Sequence, residues 1–225
     1  MPSDAGVQAD QNGFFGLNCT DLADINTIPE LVGMTVENDV WVVPTQSLFE
    51  RWGGLDDPQI LASQPEMKYI SPAKRDDWTE RKTEFMSNEI FSQETIIKFL
   101  EIRRQLIRGL YHGGAKLALG SDAPQVFNVP GFSIHHELES YIKSGLEPHQ
   151  ALEIGTINPA RCFGKKDEFG SVQVGGWADL ILLDNNPLEK VSNLRNPVGV
   201  MVRGTWLSRE EIDKRLAGIA AKYQQ

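Results

Sequence analysis

Between Gln93 and Tyr111 the apolar residues Ile96, Ile97, Leu100, Ile102, Leu106, Ile107 and Leu110 fall on a broad stripe at helical spacing. That period predicts an amphipathic helix, and His112-Gly113-Gly114 supplies its stop. Two short apolar runs flank it, Trp41-Val42-Val43-Pro44-Thr45 before and Lys116-Leu117-Ala118-Leu119-Gly120-Ser121-Asp122 after. Neither alternates with polar residues, the pattern of strands buried on both faces. Strand, helix and strand at these lengths predict a right-handed βαβ unit. Upstream, Pro29 to Val36 predicts a short helix, with Pro29 in its first turn and Asn26 or Thr27 near the cap. Residues 50 to 90 are polar, with Gly53-Gly54 and several prolines. They predict an excursion of short helices rather than core.

Beyond the second strand, Ile134 to Ser144 predicts another amphipathic helix closed by Gly145. Pro148 to Ile154 predicts a further one, and Asn158-Pro159-Ala160-Arg161 begins a third. From Gly170 the pattern changes to short β-rich runs separated by turn residues: Val172–Val174, Ala178–Leu183 and Val198–Arg203. Gly204-Thr205-Trp206 suits a hairpin return, and residues 209 to 222 predict a charged terminal helix. Residues 1 to about 17 are polar and glycine-containing, so they are expected to be poorly ordered. No internal repeat is visible.

At 225 residues the chain can bury a sizeable core. A net charge of −9 with no compensating basic face argues against a nucleic-acid partner. Cys19 and Cys162 are too few for a disulfide framework and match no metal spacing. No apolar stretch approaches the roughly 20 residues of a membrane span. The start shows no cationic segment followed by an apolar one, so the chain as it stands is expected in the cytoplasm.

Asp122 follows an apolar strand through Gly120-Ser121 and precedes Ala123-Pro124. In α/β barrels functional residues sit at the C-terminal ends of strands. A carboxylate there can ligate a divalent metal and take a proton from a metal-bound water, although an Asp after a strand also serves as a turn former or helix cap. His135 and His136 are adjacent and so project about 100° apart on a helix, whereas His135 and Glu139 share a face. His112 belongs with the carbonyl end of its helix, and His149 with a surface first turn. No serine or cysteine triad and no phosphate-cradling glycine loop emerges.

A series of motifs runs along the chain: Val42-Val43-Pro44-Thr45, Ala118-Leu119-Gly120-Ser121-Asp122-Ala123, Gly131-Phe132-Ser133-Ile134-His135-His136-Glu137-Leu138-Glu139 and Ser144-Gly145-Leu146-Glu147-Pro148. Thr156-Ile157-Asn158-Pro159-Ala160-Arg161, Gly170-Ser171-Val172-Gln173-Val174-Gly175-Gly176-Trp177-Ala178-Asp179-Leu180 and Asn186-Pro187-Leu188 continue the series in order. Together they resemble the amidohydrolase superfamily, most nearly its imidazolonepropionase-like and prolidase-like members. The resemblance runs from about residue 28 to 208.

The resemblance implies an α/β fold: a partial TIM-type (β/α)8 barrel, represented by its last strands and helices, plus the C-terminal strands of a small composite β-sandwich. It divides the chain into an N-terminal segment (1–27), partial barrel (28–164), sandwich portion (165–208) and C-terminal helix (209–225). It implies a divalent metal, usually zinc, with Asp122 as metal ligand and catalytic carboxylate and with His135 and His136 against the substrate. The His-x-His pair and the other ligands of such a site have no counterpart in this sequence, and one carboxylate does not hold a catalytic zinc that needs three or more protein ligands.

The expected chemistry is therefore metal-activated hydrolysis of a carbon–nitrogen bond in a small-molecule amide or dipeptide, by a chain that is incomplete. The alternatives are an inactive fragment, one half of a split enzyme, or a metal-dependent ester or phosphotriester hydrolase. No nucleic acid and no membrane is expected as partner; a homo-oligomer or a complementary N-terminal half is. Two parallel strands cut from a closed barrel keep unpaired edges and uncovered apolar side chains. At about 25 cal/mol per Å², several hundred Å² left wet predicts self-association or pairing. Sedimentation of the purified chain as a well-packed monomer with no exposed apolar patch would refute this.

Overall fold

The computed structural model describes residues 14–87 and 91–223. The expected disorder of the first residues falls outside that range except at its end. There a 3-10 segment, Phe14–Leu22, buries Leu17 against Phe49, Ile96 and Phe99. Helix α1 (Ile28–Glu37) carries its proline in the first turn and leads to strand β1 (Trp41–Val42). Three helices follow: α2 (Gln46–Gly53), α3 (Pro58–Ala62) and α4 (Pro72–Ser87). Helix α5 (Gln93–His112), capped by the Ser92 hydroxyl on the Thr95 N–H, returns the chain to strand β2 (Lys116–Leu117). β1 and β2 pair in parallel, Trp41 with Lys116 and Val42 with Leu117.

Both strands are shorter than the apolar runs suggest. Ala118 still donates to the Val42 carbonyl at 3.0 Å, but the Leu119 N–H bonds instead to the Ile154 carbonyl at 3.1 Å. Leu117 is buried, packed with Ile107, Leu110, Leu138, Tyr141 and Ile154. Of the strand-run side chains expected to be left uncovered, Val43 is exposed; Leu31, Met34 and Val40 are exposed as well.

Helices α6 (Ser133–Lys143), α7 (Pro148–Gly155) and α8 (Ile157–Cys162) close this unit. A three-stranded antiparallel sheet follows, from β3 (Leu180–Leu182), β4 (Gly199–Val202) and β5 (Thr205–Ser208), in the order β3-β4-β5. Its hairpin turns on Arg203 and Gly204, both at positive φ, where glycine removes the steric cost of the left-handed conformation. Val172–Val174, expected as a strand, is irregular, and both valines are exposed. Helix α9 (Arg209–Ala221) ends the described chain, with the Ser208 hydroxyl accepting from the Glu211 N–H. Among the described residues, no helix is long and apolar enough to cross a membrane.

The segment from 50 to 90, expected outside the core, builds a core of its own; residues 88–90 of it lie outside the described residues. Leu61, Met67 and Trp78 pack against Val126, Phe127 and Val129, which belong to the loop after β2. Polarity misleads here because the apolar residues are few and large. The same segment contributes Lys82, which is 0% exposed and donates its ammonium to the Trp52 carbonyl at 2.9 Å and to the Gly54 carbonyl. These are carbonyls at the C-terminal end of α2, where a cation complements the helix dipole. Burial nevertheless pulls the Lys82 pKa down to about 8 from an ordinary 10.5. In the window from about 8 to 10.5 the unfolded chain holds a proton at this site that the folded chain has lost, so folded stability rises with pH there. Urea unfolding of the native chain and of Lys82→Met across that range should show the native chain gaining stability relative to the variant. Parallel profiles would remove the buried charge from the account.

Candidate active site

The chain leaves β1 through Val43-Pro44-Thr45, and Thr45 adopts a left-handed conformation (φ 49°) that turns it directly into α2. The first turn of a helix presents N–H groups with no intrahelical acceptor. Here the Gln46 and Ser47 N–H groups donate to the two oxygens of Glu137, at 2.9 and 2.6 Å. Glu137 lies on α6 and is 0% exposed. Burial raises its pKa, while the two backbone N–H bonds oppose the rise. Arg103 of α5 secures the same turn: it donates to the Pro44 carbonyl and the Gln46 side-chain oxygen, both at 2.9 Å, and lies 3.4 Å over the Phe49 ring.

The chain leaves β2 through Ala118-Leu119-Gly120-Ser121. A Cβ on Gly120 would come within 2.6 Å of Val43, so the two strand exits touch at this point. Ser121 is buried and held twice. Its hydroxyl pairs with the Ser133 hydroxyl at 2.7 Å, and its carbonyl accepts from the Asn128 side chain at 2.7 Å. Asp122 comes next, exposed and at φ 53°. Its carboxylate makes no hydrogen bond or ion pair with any other described residue.

The two histidines are placed differently. His135 is half-buried, and its buried Nδ1 has no partner among the described residues. Burial lowers its pKa, and the charge of Arg195 lowers it further against the opposing Glu139. His136 is engaged at both nitrogens. Nε2 lies 2.8 Å from a Glu66 oxygen, and Nδ1 lies 3.3 Å from an Arg195 amino group. Because a guanidinium only donates, Nδ1 accepts and Nε2 carries the hydrogen given to Glu66. Arg195 also binds Glu139 at 3.0 Å, and Arg51 stands 3.7 Å from Glu66. This network joins α2, the 3-10 turn Pro65–Tyr69, α6 and the 3-10 turn Val191–Arg195.

Asp122 is thus linked to α6 through Ser121 and Ser133, whereas His136 belongs to an ion-pair network. Among the described residues no group of three or more histidine, cysteine, aspartate or glutamate side chains is arranged to hold a metal. An open groove of about 690 Å³ runs between α3 and α4, and its lining takes nothing from the strand ends. Glu137, Asn128 and Ser133 escape a reading of the sequence. The spacing of Ser133, Glu137, Ser140 and Ser144 reads as a solvated helix face, yet all four are buried.

Two exits from a parallel strand pair, joined by a long helix and followed by a small antiparallel sheet, define an α/β fold. The sequence model of the amidohydrolase family matches residues 46–207, and the chain belongs to that family. A 5-methylthioadenosine/S-adenosylhomocysteine deaminase of Teredinibacter turnerae is 28% identical over 45% of the chain and 26% of its own length. An adenine deaminase of Bacillus licheniformis is 34% identical over 39% of the chain and 15% of its own length. In structure, bottromycin amidohydrolase superposes with a TM-score of 0.62 at 22% identity, over 80% of this chain and 40% of its own. The chain therefore spans less than half the length of each of these proteins.

Burial pushes the Glu66 pKa up, but the hydrogen bond from His136, a backbone hydrogen bond and the charge of Arg51 outweigh it and hold the carboxyl below 4.5. A depressed carboxylate stabilises the fold above its unfolded value, and that contribution disappears as pH falls through the folded value. Glu66→Gln should cost about 1.5–3 kcal/mol at pH 7, the range for a hydrogen bond to a charged group. The gap from the native chain should narrow below pH 4.5. Chemical unfolding at pH 7 and at pH 3 checks both parts, and a gap independent of pH would refute the assignment.

Proposed function

We propose that this chain is the C-terminal portion of a hydrolase that cleaves a carbon–nitrogen bond in a small molecule, with Asp122 as its catalytic carboxylate. In this reading β1, α5 and β2 are part of a (β/α)8 barrel, within residues 28–164. The sheet β3-β4-β5 is the C-terminal part of a composite β-sandwich (165–208), with residues 209–225 as a terminal helix. The observation that carries the reading is the position of Asp122: exposed, without a partner among the described residues and at the exit of a parallel strand, in a chain that the family model covers from 46 to 207. Named relatives that deaminate purines support the bond class.

The divalent metal that the family resemblance implies, zinc being the expected ion, does not fit the described residues alone. Asp122 has no second or third donor grouped with it, and a catalytic zinc needs about three protein ligands. The remaining donors are therefore proposed to lie outside this chain, on a complementary N-terminal half. What Asp122 itself can do is take a proton from an attacking water and return it to the leaving nitrogen, the work of a general base and then acid. His135, with one nitrogen unpartnered among the described residues, is better placed to turn toward a substrate than His136.

Reconstitution tests this. The chain alone should retain no stoichiometric metal after dialysis and show no hydrolysis of dipeptides, cyclic amides or aminopurines above background. Co-expressed with a polypeptide supplying the other barrel strands, it should hydrolyse at least one of these, and Asp122→Asn should lower that rate by about 10²–10⁴-fold. A reconstituted pair that keeps its rate with Asp122→Asn would sink the proposal. So would one tightly held metal on the chain alone.

A further inference from the structure

We infer that Asn128 and Ser133 are positioning residues for Asp122, and that helix α6 clasps both strand exits into one rigid unit. The inference rests on the reading of Asp122 as the site carboxylate. Asp122 has no side-chain partner among the described residues, so nothing acts on its carboxylate directly. What is fixed is the peptide that leads into it. The Ser121 carbonyl, one bond from the Asp122 nitrogen, accepts from Asn128 Nδ2 at 2.7 Å, and the Ser121 hydroxyl meets Ser133 at 2.7 Å. Asn128 is 0% exposed and Ser133 1% exposed, so water does not compete for either bond.

The need for such a restraint is local. Asp122 sits at φ 53°, a left-handed conformation that costs a non-glycine residue of order 1 kcal/mol or more and persists only where surroundings impose it. A flexible loop would relax out of it. The loop that supplies Asn128 is itself anchored, because Val126, Phe127 and Val129 are buried against Leu61, Met67 and Trp78. The Asn128 N–H also closes a turn on the Gln125 carbonyl at 2.8 Å. Ser133 begins α6, and Glu137, one turn later on the same helix, holds the Gln46 and Ser47 N–H groups at the other exit. One helix thus sets the spacing between the β1 exit and the β2 exit through two adjacent polar contacts.

The test is backbone ¹⁵N relaxation on the whole chain, with a mechanical control. In the native chain the Asp122 amide should be as rigid as α6, with an order parameter near 0.85; a native value below about 0.6 would overturn the inference without any variant. Asn128→Ala and Ser133→Ala should each drop Asp122 below about 0.6, and Ser133→Thr, which keeps the hydroxyl, should restore it. Ser140→Ala is the control. It removes a buried hydroxyl from the same helix, one bonded to Glu50 and the His136 carbonyl, and should leave Asp122 rigid. If Asn128→Ala does not fold, Ser133→Ala and its threonine rescue carry the measurement. Variants that fold and leave Asp122 as rigid as before would overturn the inference. In an active reconstituted pair the same variants should lower kcat by about tenfold, as expected for one lost hydrogen bond, with KM unchanged. If no pair is ever active but relaxation behaves as stated, the catalytic reading fails and the positioning stands. If Asp122→Asn is inactive yet relaxation does not change, only the positioning fails.

Discussion

The buried carboxylate of Glu137 on the first turn of α2 is the contact on which the arrangement of the strand ends depends. Helix α2 is eight residues long, too short to be stable on its own in water. It survives because each end meets a buried side chain that pairs its open backbone groups: Glu137 at the N–H end, Lys82 at the carbonyl end. The two side chains come from sequence neighbourhoods far apart. One is on the helix after β2, the other on the long helix of the 50–90 segment. Removing either would leave backbone N–H or carbonyl groups at that helix terminus without their partner, a cost of about 1–3 kcal/mol for each such buried group. Glu50 adds a further tie from the middle of the helix, binding Arg104 of α5 at 2.8 Å and Ser140 and Lys143 of α6 at 3.0 and 3.1 Å.

Much of the architecture is legible in the sequence because it is written in periodicity. The stripe from Ile96 to Leu110 predicts α5 to within a residue, and Pro29 marks the first turn of α1. The two apolar runs do pair in parallel, and Gly204 does turn the last hairpin. What is not legible has a common cause, which is burial of polar or sparse apolar residues. Trp78 and Met67 are isolated among charges, so the 50–90 segment reads as surface although it forms a core with the loop after β2. Ser133, Glu137 and Ser140 repeat at helical spacing like a wet face, and only long-range partners such as the Gln46 and Ser47 N–H groups make their burial affordable. Strand length was overread for a different reason. Apolarity continues past Leu117, but beyond Ala118 the backbone bonds to the Ile154 carbonyl of α7 rather than to another strand.

The same contrast applies to the site. Asp122 is conspicuous in sequence because of the strand before it and the proline after, and the structure places it at the strand exit, exposed. The histidines cannot be separated by sequence, since adjacent positions look equivalent. Three-dimensional neighbours separate them: Glu66 and Arg195 occupy both nitrogens of His136, while His135 Nδ1 has no partner among the described residues. Family membership does not supply the missing donors. It says which kind of framework holds Asp122, while the composition of a metal centre depends on donors that the described residues do not group together.

The bond from Leu119 N–H to the Ile154 carbonyl has a consequence for how the chain behaves in company. An open strand edge is a template on which foreign chains can grow, because its donors and acceptors stand unclaimed. Here, on the side of β2 away from β1, the donor just past the strand is claimed by one of the last carbonyls of α7, a group that a helix end would otherwise leave without a mate. Any strand that extended the sheet there would have to displace the helix terminus first, so growth at that edge is an exchange rather than a simple addition. A helix end thereby acts as a gatekeeper against runaway pairing, admitting a strand whose own contacts outweigh the bond it replaces and turning away one that offers backbone alone.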